Sequence, residues 1–214
     1  MKAKLLAYYR ALRKRYGPRR WWPAETPFEV MVGAILTQNT SWKNVEKAIA
    51  ALKAHDLLDP RRLLELDLGT LELAIRPAGF FRLKAQRLRE YLRWYVDRHG
   101  ADDDRIRALG LDRAREELLS IRGIGPETAD SILLYGFGLA TFVVDRYTWR
   151  VLTRHGIVPE EADYAEMKEL FEGHLERDAA MYNEYHALIV NVGKDFCRAT
   201  ARCDECPLKR YLPG

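Results

Sequence analysis

Apolar and polar positions alternate along most of this chain with the period of an amphipathic helix. The segment TPFEVMVGAILTQ, 26–38, reads as a helix with Thr26 as N-cap, Pro27 in the first helical position and Glu29 closing a capping box. Its apolar residues run nearly all round, which predicts a buried helix. A second helix starts at Ser41, and two short ones begin at Pro60 and Thr70. IRPAGFF, 75–81, breaks the pattern, and a long helix then runs to about Asp97. HGADDDR is a polar loop, and Asp112 is placed to cap RAREELLSI. Met181, Tyr185, Leu188, Ile189 and Val192 mark one face of a late helix. The one β-like run, TFVVD at 141–145, is too short and solitary for a sheet. These patterns predict an all-α protein.

Composition adds bounds. With 214 residues, 48% of them hydrophobic, the chain can bury a core in one large domain or two small lobes. It has no run of 18 or more apolar residues, so no membrane span is expected. The first residues, MKAKLLAYYRALRKRYGPRRWW, lack an apolar signal core, and a cytoplasmic protein is expected.

The net charge of +4 is unevenly spread. Residues 1–20 hold eight Lys/Arg and no acid, and Lys194, Arg198, Arg202, Lys209 and Arg210 make the tail basic. Such ends suit nucleic acid, or a solvated surface.

The most informative stretch is SIRGIGPETAD, 120–130. A helix ends near Ile121, and Gly123 and Gly125 are expected to permit a tight turn with φ > 0 and uncovered amides. Pro126 begins the next helix, so the turn suits an anion such as a DNA phosphate; an ordinary αα-corner has the same pattern. Twenty residues past Gly125, FVVDRYTWR ends an apolar run on an acid, Asp145, which also suits a helix N-cap.

LLSIRGIGPETADSILLYGFG followed by TFVVDRYTWRV resembles the helix-hairpin-helix and aspartate signature of the endonuclease III superfamily of DNA glycosylases. PFEVMVGAILTQNTSWKNVEKA resembles that family's early helix and strand-inserting loop, and IRPAGFFRLKAQRLREY its next hairpin. The resemblance spans roughly residues 20–212. It implies two helical lobes with double-stranded DNA carrying a damaged base in the cleft between them. One lobe is 25–135, a six-helix barrel with the hairpin at about 112–137. The other combines 1–24 with 136–214. Gly123, Ile124, Gly125 and Thr128 would lie on DNA, and Asp145 would stabilise the sugar cation left as the base departs. A monomer is expected, with no nucleotide cofactor.

Bifunctional members of the family carry a lysine where this chain has Glu127. A carboxylate forms no imine, so the resemblance implies base removal without strand cleavage. Glu127 also suits the first turn of a helix.

WWPAETPFEVMVGAILTQNTSW most resembles the bacterial 3-methyladenine DNA glycosylase branch related to endonuclease III. That match makes Trp22 and Trp42 the faces of a base pocket, with Glu127 in it and Trp21 in support; the tryptophans also suit core anchors. An alkylated purine is cationic in DNA, and stacked aromatic faces attract it. Gln38 and Asn39 lie in the LTQNT turn, where Gln38 would fill the gap left by the flipped nucleotide or cap a helix. Phe80 or Phe81 would wedge beside the opposing base or join the core. Lys84 and Arg87 would reach phosphates or stand solvated. Other readings are a glycosylase for uracil or thymine mismatches or oxidised pyrimidines, and a non-catalytic DNA-binding module.

All three cysteines follow residue 196, which points to a metal rather than disulfides. Cys197-x5-Cys203-x2-Cys206 (197–206) resembles the family's [4Fe–4S] loop, Cys-x6-Cys-x2-Cys-x5-Cys, but departs from it twice. The first gap is one residue short, and Leu212 stands in the fourth position. A cluster with another fourth ligand, a zinc ion and an empty loop all remain open. His186, three helical turns upstream, is the nearest candidate nitrogen ligand in sequence.

Overall fold

The computed structural model describes residues 1–19, 22 and 24–213. Twelve α-helices are present among them: α1 (Lys2–Tyr16), α2 (Pro27–Leu36), α3 (Trp42–Ala54), α4 (Pro60–Glu65), α5 (Leu68–Ala74), α6 (Phe81–Leu92), α7 (Asp103–Arg107), α8 (Leu111–Ser120), α9 (Pro126–Ser131), α10 (Arg146–Arg154), α11 (Tyr164–Glu172) and α12 (Ala179–Asp195). α6 and α9 each continue into a π-helical turn, Arg93–Arg98 and Ile132–Gly136, and Arg76–Ala78 and Lys209–Tyr211 are 3-10 turns. The described residues contain no strand, and TFVVD forms an extended link whose Phe142, Val143 and Val144 are buried. No helix among them is long and apolar enough to cross a membrane.

The chain divides into two compact units, 24–139 and 1–23 with 140–214. In the continuous unit α2 is the central element, buried from Phe28 to Leu36. It packs against α3, α6, α9 and the π turn after α9. Its start follows the local rules: the Thr26 hydroxyl accepts from Glu29 N at 3.1 Å, with Pro27 in the first turn. The Glu29 carboxylate, however, accepts from Glu25 N at 3.0 Å, one residue earlier than a capping box requires.

Two other starts differ from the sequence expectation. Asp67, not Thr70, caps α5, its carboxylate accepting from Thr70 N at 3.0 Å. α8 begins after Gly110, whose φ of 77 turns the chain in, and Asp112 sits in the first turn rather than capping it. Glu117 of α8, 5% exposed, accepts from Trp94 Nε1 (3.0 Å), His99 Nε2 (2.9 Å) and Arg98 Nη2 (2.7 Å). It thereby ties α8 to the π turn that ends α6.

In the discontinuous unit α12 is the central element, packed against α1 and α10. Phe142 stacks on Phe171 with ring centres 3.8 Å apart, and both meet Tyr185 edge-on. The Tyr185 hydroxyl donates to Leu5 O at 2.8 Å, which fastens α1. Gly193 of α12 lets α10 approach closely, because a Cβ there would overlap the Tyr147 ring.

Candidate active site

The hairpin is formed by α8 and α9 with residues 121–125 between them. Its two glycines do different work. Gly123 has φ +90, the left-handed region expected of it. Gly125 has φ −91 and ψ 177, an extended conformation open to any residue, so the expectation of φ > 0 there is corrected. The turn needs one left-handed residue, not two, because Gly125 already begins the straight approach to the helix. Ile124 is buried, while Gly125 and Glu127 are exposed.

Gln38, just past α2, is bound to this hairpin. Its amide nitrogen donates to Gly123 O at 3.1 Å and to the Thr128 hydroxyl at 3.0 Å. Its carbonyl oxygen accepts from Arg87 Nη1 at 2.5 Å. The arginine stem runs over Gly123, where an added Cβ would come within 2.5 Å of it. Gln38, Asn39, Arg87, Gly123, Gly125, Glu127 and Thr128 line a cavity of about 360 Å3. The sequence left Arg87 either on phosphate or solvated; in the structure its Nη1 is engaged by Gln38.

Lys84 neither reaches out to phosphate nor stands solvated, the two readings that the sequence allowed it. It is 1% exposed, and its ammonium donates to Leu36 O and Ala78 O, both at 2.8 Å. Burial, with the nearby Arg87 charge second, pushes its amine down to about 8. Phe80 stands 69% exposed just before α6, with φ 47.

Asp145 is the N-cap of α10, and its Oδ1 accepts from Thr148 N at 2.8 Å and from the Thr148 hydroxyl at 3.0 Å. His186 of α12 brings Nε2 to 3.5 Å from Oδ2. Burial raises the carboxyl's pKa, but the His186 charge and hydrogen bond and the Thr148 bonds outweigh it, and the net shift is downward. Asp145 is therefore held ionised. The sequence offered His186 only as a distant nitrogen ligand for the cysteines, dependent on the fold; nothing local could reveal its pairing with Asp145 across 41 positions.

Trp22 is half-buried in the discontinuous unit with φ 69, and Trp42 is the half-buried first residue of α3. Trp21 lies outside the described residues.

A family model described as HhH-GPD superfamily base excision DNA repair protein matches residues 32–177. The chain belongs to the HhH-GPD superfamily. It is a DNA glycosylase of base excision repair. A protein of Methanocaldococcus jannaschii, provisionally named as a DNA repair glycosylase, is 51% identical over 207 residues, 95% of this chain and 93% of its own. The solved 3-methyladenine DNA glycosylase of H. pylori, bound to 1,N6-ethenoadenine, is 30% identical with a TM-score of 0.74, over 90% of this chain and 96% of that one. An endonuclease III in a non-covalent complex with DNA is 21% identical and shares the HhH-GPD fold, with a TM-score of 0.83 over 99% of this chain and 95% of that one.

Cys197, Cys203 and Cys206 line one cavity of about 20 Å3, room for about one water. Leu212, Leu208, Arg154 and His155 also stand in its wall. Arg154 Nη1 lies 3.4 Å from Cys197 Sγ, and His155 Nδ1 shares a 2.8 Å hydrogen bond with the Tyr8 hydroxyl. The histidine at these cysteines is thus His155, not His186. Among the described residues no three His, Cys, Asp or Glu side chains converge closely enough to hold an ion. With an apolar Leu212 in the fourth position, the donor set does not fit a four-thiolate cluster.

Proposed function

We propose that this protein is a monofunctional DNA N-glycosylase that removes alkylated purines of the 3-methyladenine type from double-stranded DNA, acting as a monomer in the cytoplasm. The observation that carries this reading is Glu127, an exposed carboxylate lining the polar cavity where bifunctional relatives hold a nucleophilic amine. The 30% identical H. pylori enzyme, a 3-methyladenine glycosylase, supports the substrate class.

In this reading the hairpin, the Gln38 loop and Asp145 all face the duplex. The amides of the 123–125 turn meet a phosphate, with Gly125 leaving the approach open. Gln38, Asn39 and Phe80 enter the helix around the extruded nucleotide. Trp22 and Trp42 stack on the flipped base, which an N-alkyl group has made cationic; cation–π attraction contributes roughly 1–2 kcal/mol when desolvated. The C1′–N bond breaks with its electron pair passing to the base, which leaves neutral. Asp145, ionised, faces the sugar cation that remains. Water adds its oxygen to C1′ and passes its extra proton to solvent, and the strand stays intact. The cysteine loop takes no part in these steps.

The test is a base-release assay over duplexes carrying 3-methyladenine, 7-methylguanine, ethenoadenine, uracil, mismatched thymine or oxidised pyrimidines. Products are run on gels before and after alkali. Release of alkylated purines, with breakage only after alkali, is expected. Preference for uracil, thymine or an oxidised pyrimidine overturns the substrate class. Release from no lesion leaves a DNA-binding module.

A further inference from the structure

Lys84 sits one turn into α6 with its ammonium enclosed, and it reaches two carbonyls that end different helical elements. Leu36 is the last residue of α2, and Ala78 is the last of the 3-10 turn. Each carbonyl stands immediately before a loop assigned to DNA. Past Leu36 come Thr37, Gln38 and Asn39; past Ala78 come Gly79 and Phe80. A buried ammonium is costly, and an apolar chain of similar length fills such a space without that cost. The carbonyl at the end of α2 offsets part of it, being an unsatisfied acceptor at the negative end of a helix.

Each loop also carries a non-glycine residue in the left-handed region, Asn39 with φ 52 and Phe80 with φ 47. Such conformations persist only where surrounding structure holds them. Phe80 is 69% exposed, so side-chain packing does not hold it.

We propose that Lys84 is a positioning residue that fastens the 37–40 and 79–80 loops to each other, so that Gln38–Asn39 and Phe80 enter the duplex at a fixed separation. This rests on the proposed assignment of both loops to DNA. Arg87, one turn further along α6, extends the arrangement by holding the Gln38 amide at 2.5 Å. Two side chains that must occupy one distorted step of a duplex gain from a separation set in advance, since misplacement by about 1 Å can cost roughly a hundredfold in rate.

Lys84→Met keeps the length and removes both donors. In the free protein, amide hydrogen exchange is expected to quicken in 37–41 and 79–82 together, while α8 keeps wild-type protection. Single-turnover release of a lesion from fully paired duplex is expected to fall about a hundredfold. Release of the same lesion from a mismatched bubble, where little unpairing is needed, stays near wild type. Lys84→Gln, which retains amide donors, recovers part of both effects, and it replaces the Met variant should that one not fold. Exchange that quickens in one loop only, or throughout the unit, overturns the proposal. So does an equal loss of release from duplex and bubble. If wild-type protein releases no base, the glycosylase reading fails while the exchange result still decides the clamp.

Discussion

His186 Nε2 lies 3.5 Å from Asp145 Oδ2, while Oδ1 is taken by the backbone and hydroxyl of Thr148. Both carboxylate oxygens are thus oriented, one by the first turn of α10 and one by α12. Asp145→Asn keeps an N-cap, because asparagine caps as well as aspartate. The variant is expected to bind lesion DNA like wild type and to release base slower by on the order of a hundredfold or more. Single-turnover release beside a binding titration checks this. Wild-type rates would leave Asp145 as a cap alone.

Glu127 lines the polar cavity without offering an amine. Borohydride is expected to trap no protein–DNA adduct with wild type, and strands should break only after alkali. Any trace trapped by another amine, such as that of Lys43, which follows Trp42 in α3, should survive Glu127→Ala and vanish with Lys43→Ala. Glu127→Lys is expected to gain trapping. Efficient trapping by wild type would defeat the monofunctional reading.

The hairpin glycines should separate cleanly. Gly123→Ala places a Cβ at φ +90 and 2.5 Å from the Arg87 stem. It is expected to lower stability by roughly 1–3 kcal/mol, measured by chemical denaturation. Gly125→Ala meets no atom within 4 Å and has an ordinary φ. Its stability is expected to stay near wild type, while affinity for damaged and undamaged duplex falls alike as the methyl group crowds the phosphate. A large loss of stability with Gly125→Ala, or none with Gly123→Ala, contradicts these assignments.

Leu212 lines the cysteine cavity, six residues after Cys206, where the four-cysteine loop that this tail resembles would have its last thiol. Wild-type protein prepared anaerobically is expected to hold well under one four-iron cluster per chain. Leu212→Cys completes the ligand set and is expected to raise iron toward about four per chain, with a visible absorption band. Full iron content in wild type would show that another group supplies the fourth ligand.

Lys84 titrates at about 8 in the folded protein, below its ordinary 10.5. Between these values the unfolded chain binds the extra proton, so this group's contribution to stability rises with pH. The cost of enclosing the charge is fully present below pH 8 and is relieved above it. Wild type is therefore expected to gain stability relative to Lys84→Met from pH 8 to 10, measured by urea midpoints. A difference that is flat across that range contradicts the lowered value.

Much of the helical framework was legible because its signals are local. Thr26 and Pro27 mark the start of α2 by themselves, and the glycines announce the hairpin. The displaced starts at Asp67 and Gly110 arose where two plausible caps stood close together and the backbone took the other one. What was not legible is what depends on chain segments meeting. Lys84 and Arg87 lie in a run of charges that reads as a solvated face, yet each is engaged by a residue more than 40 positions earlier. His186 carries no local mark of its place beside Asp145.

The discontinuous unit imposes an order on synthesis. α1 is made first, but Tyr185, which fastens it through Leu5 O, lies 180 positions later. At about 5–20 residues per second, the apolar face of α1 waits on the order of 10–40 s on the ribosome before α12 exists to cover it. Leu5, Tyr8 and Leu12, all buried in the finished protein, stay uncovered by α12 for that interval. The nascent chain therefore passes through a stage in which the continuous unit has its full sequence while α1 still lacks α12.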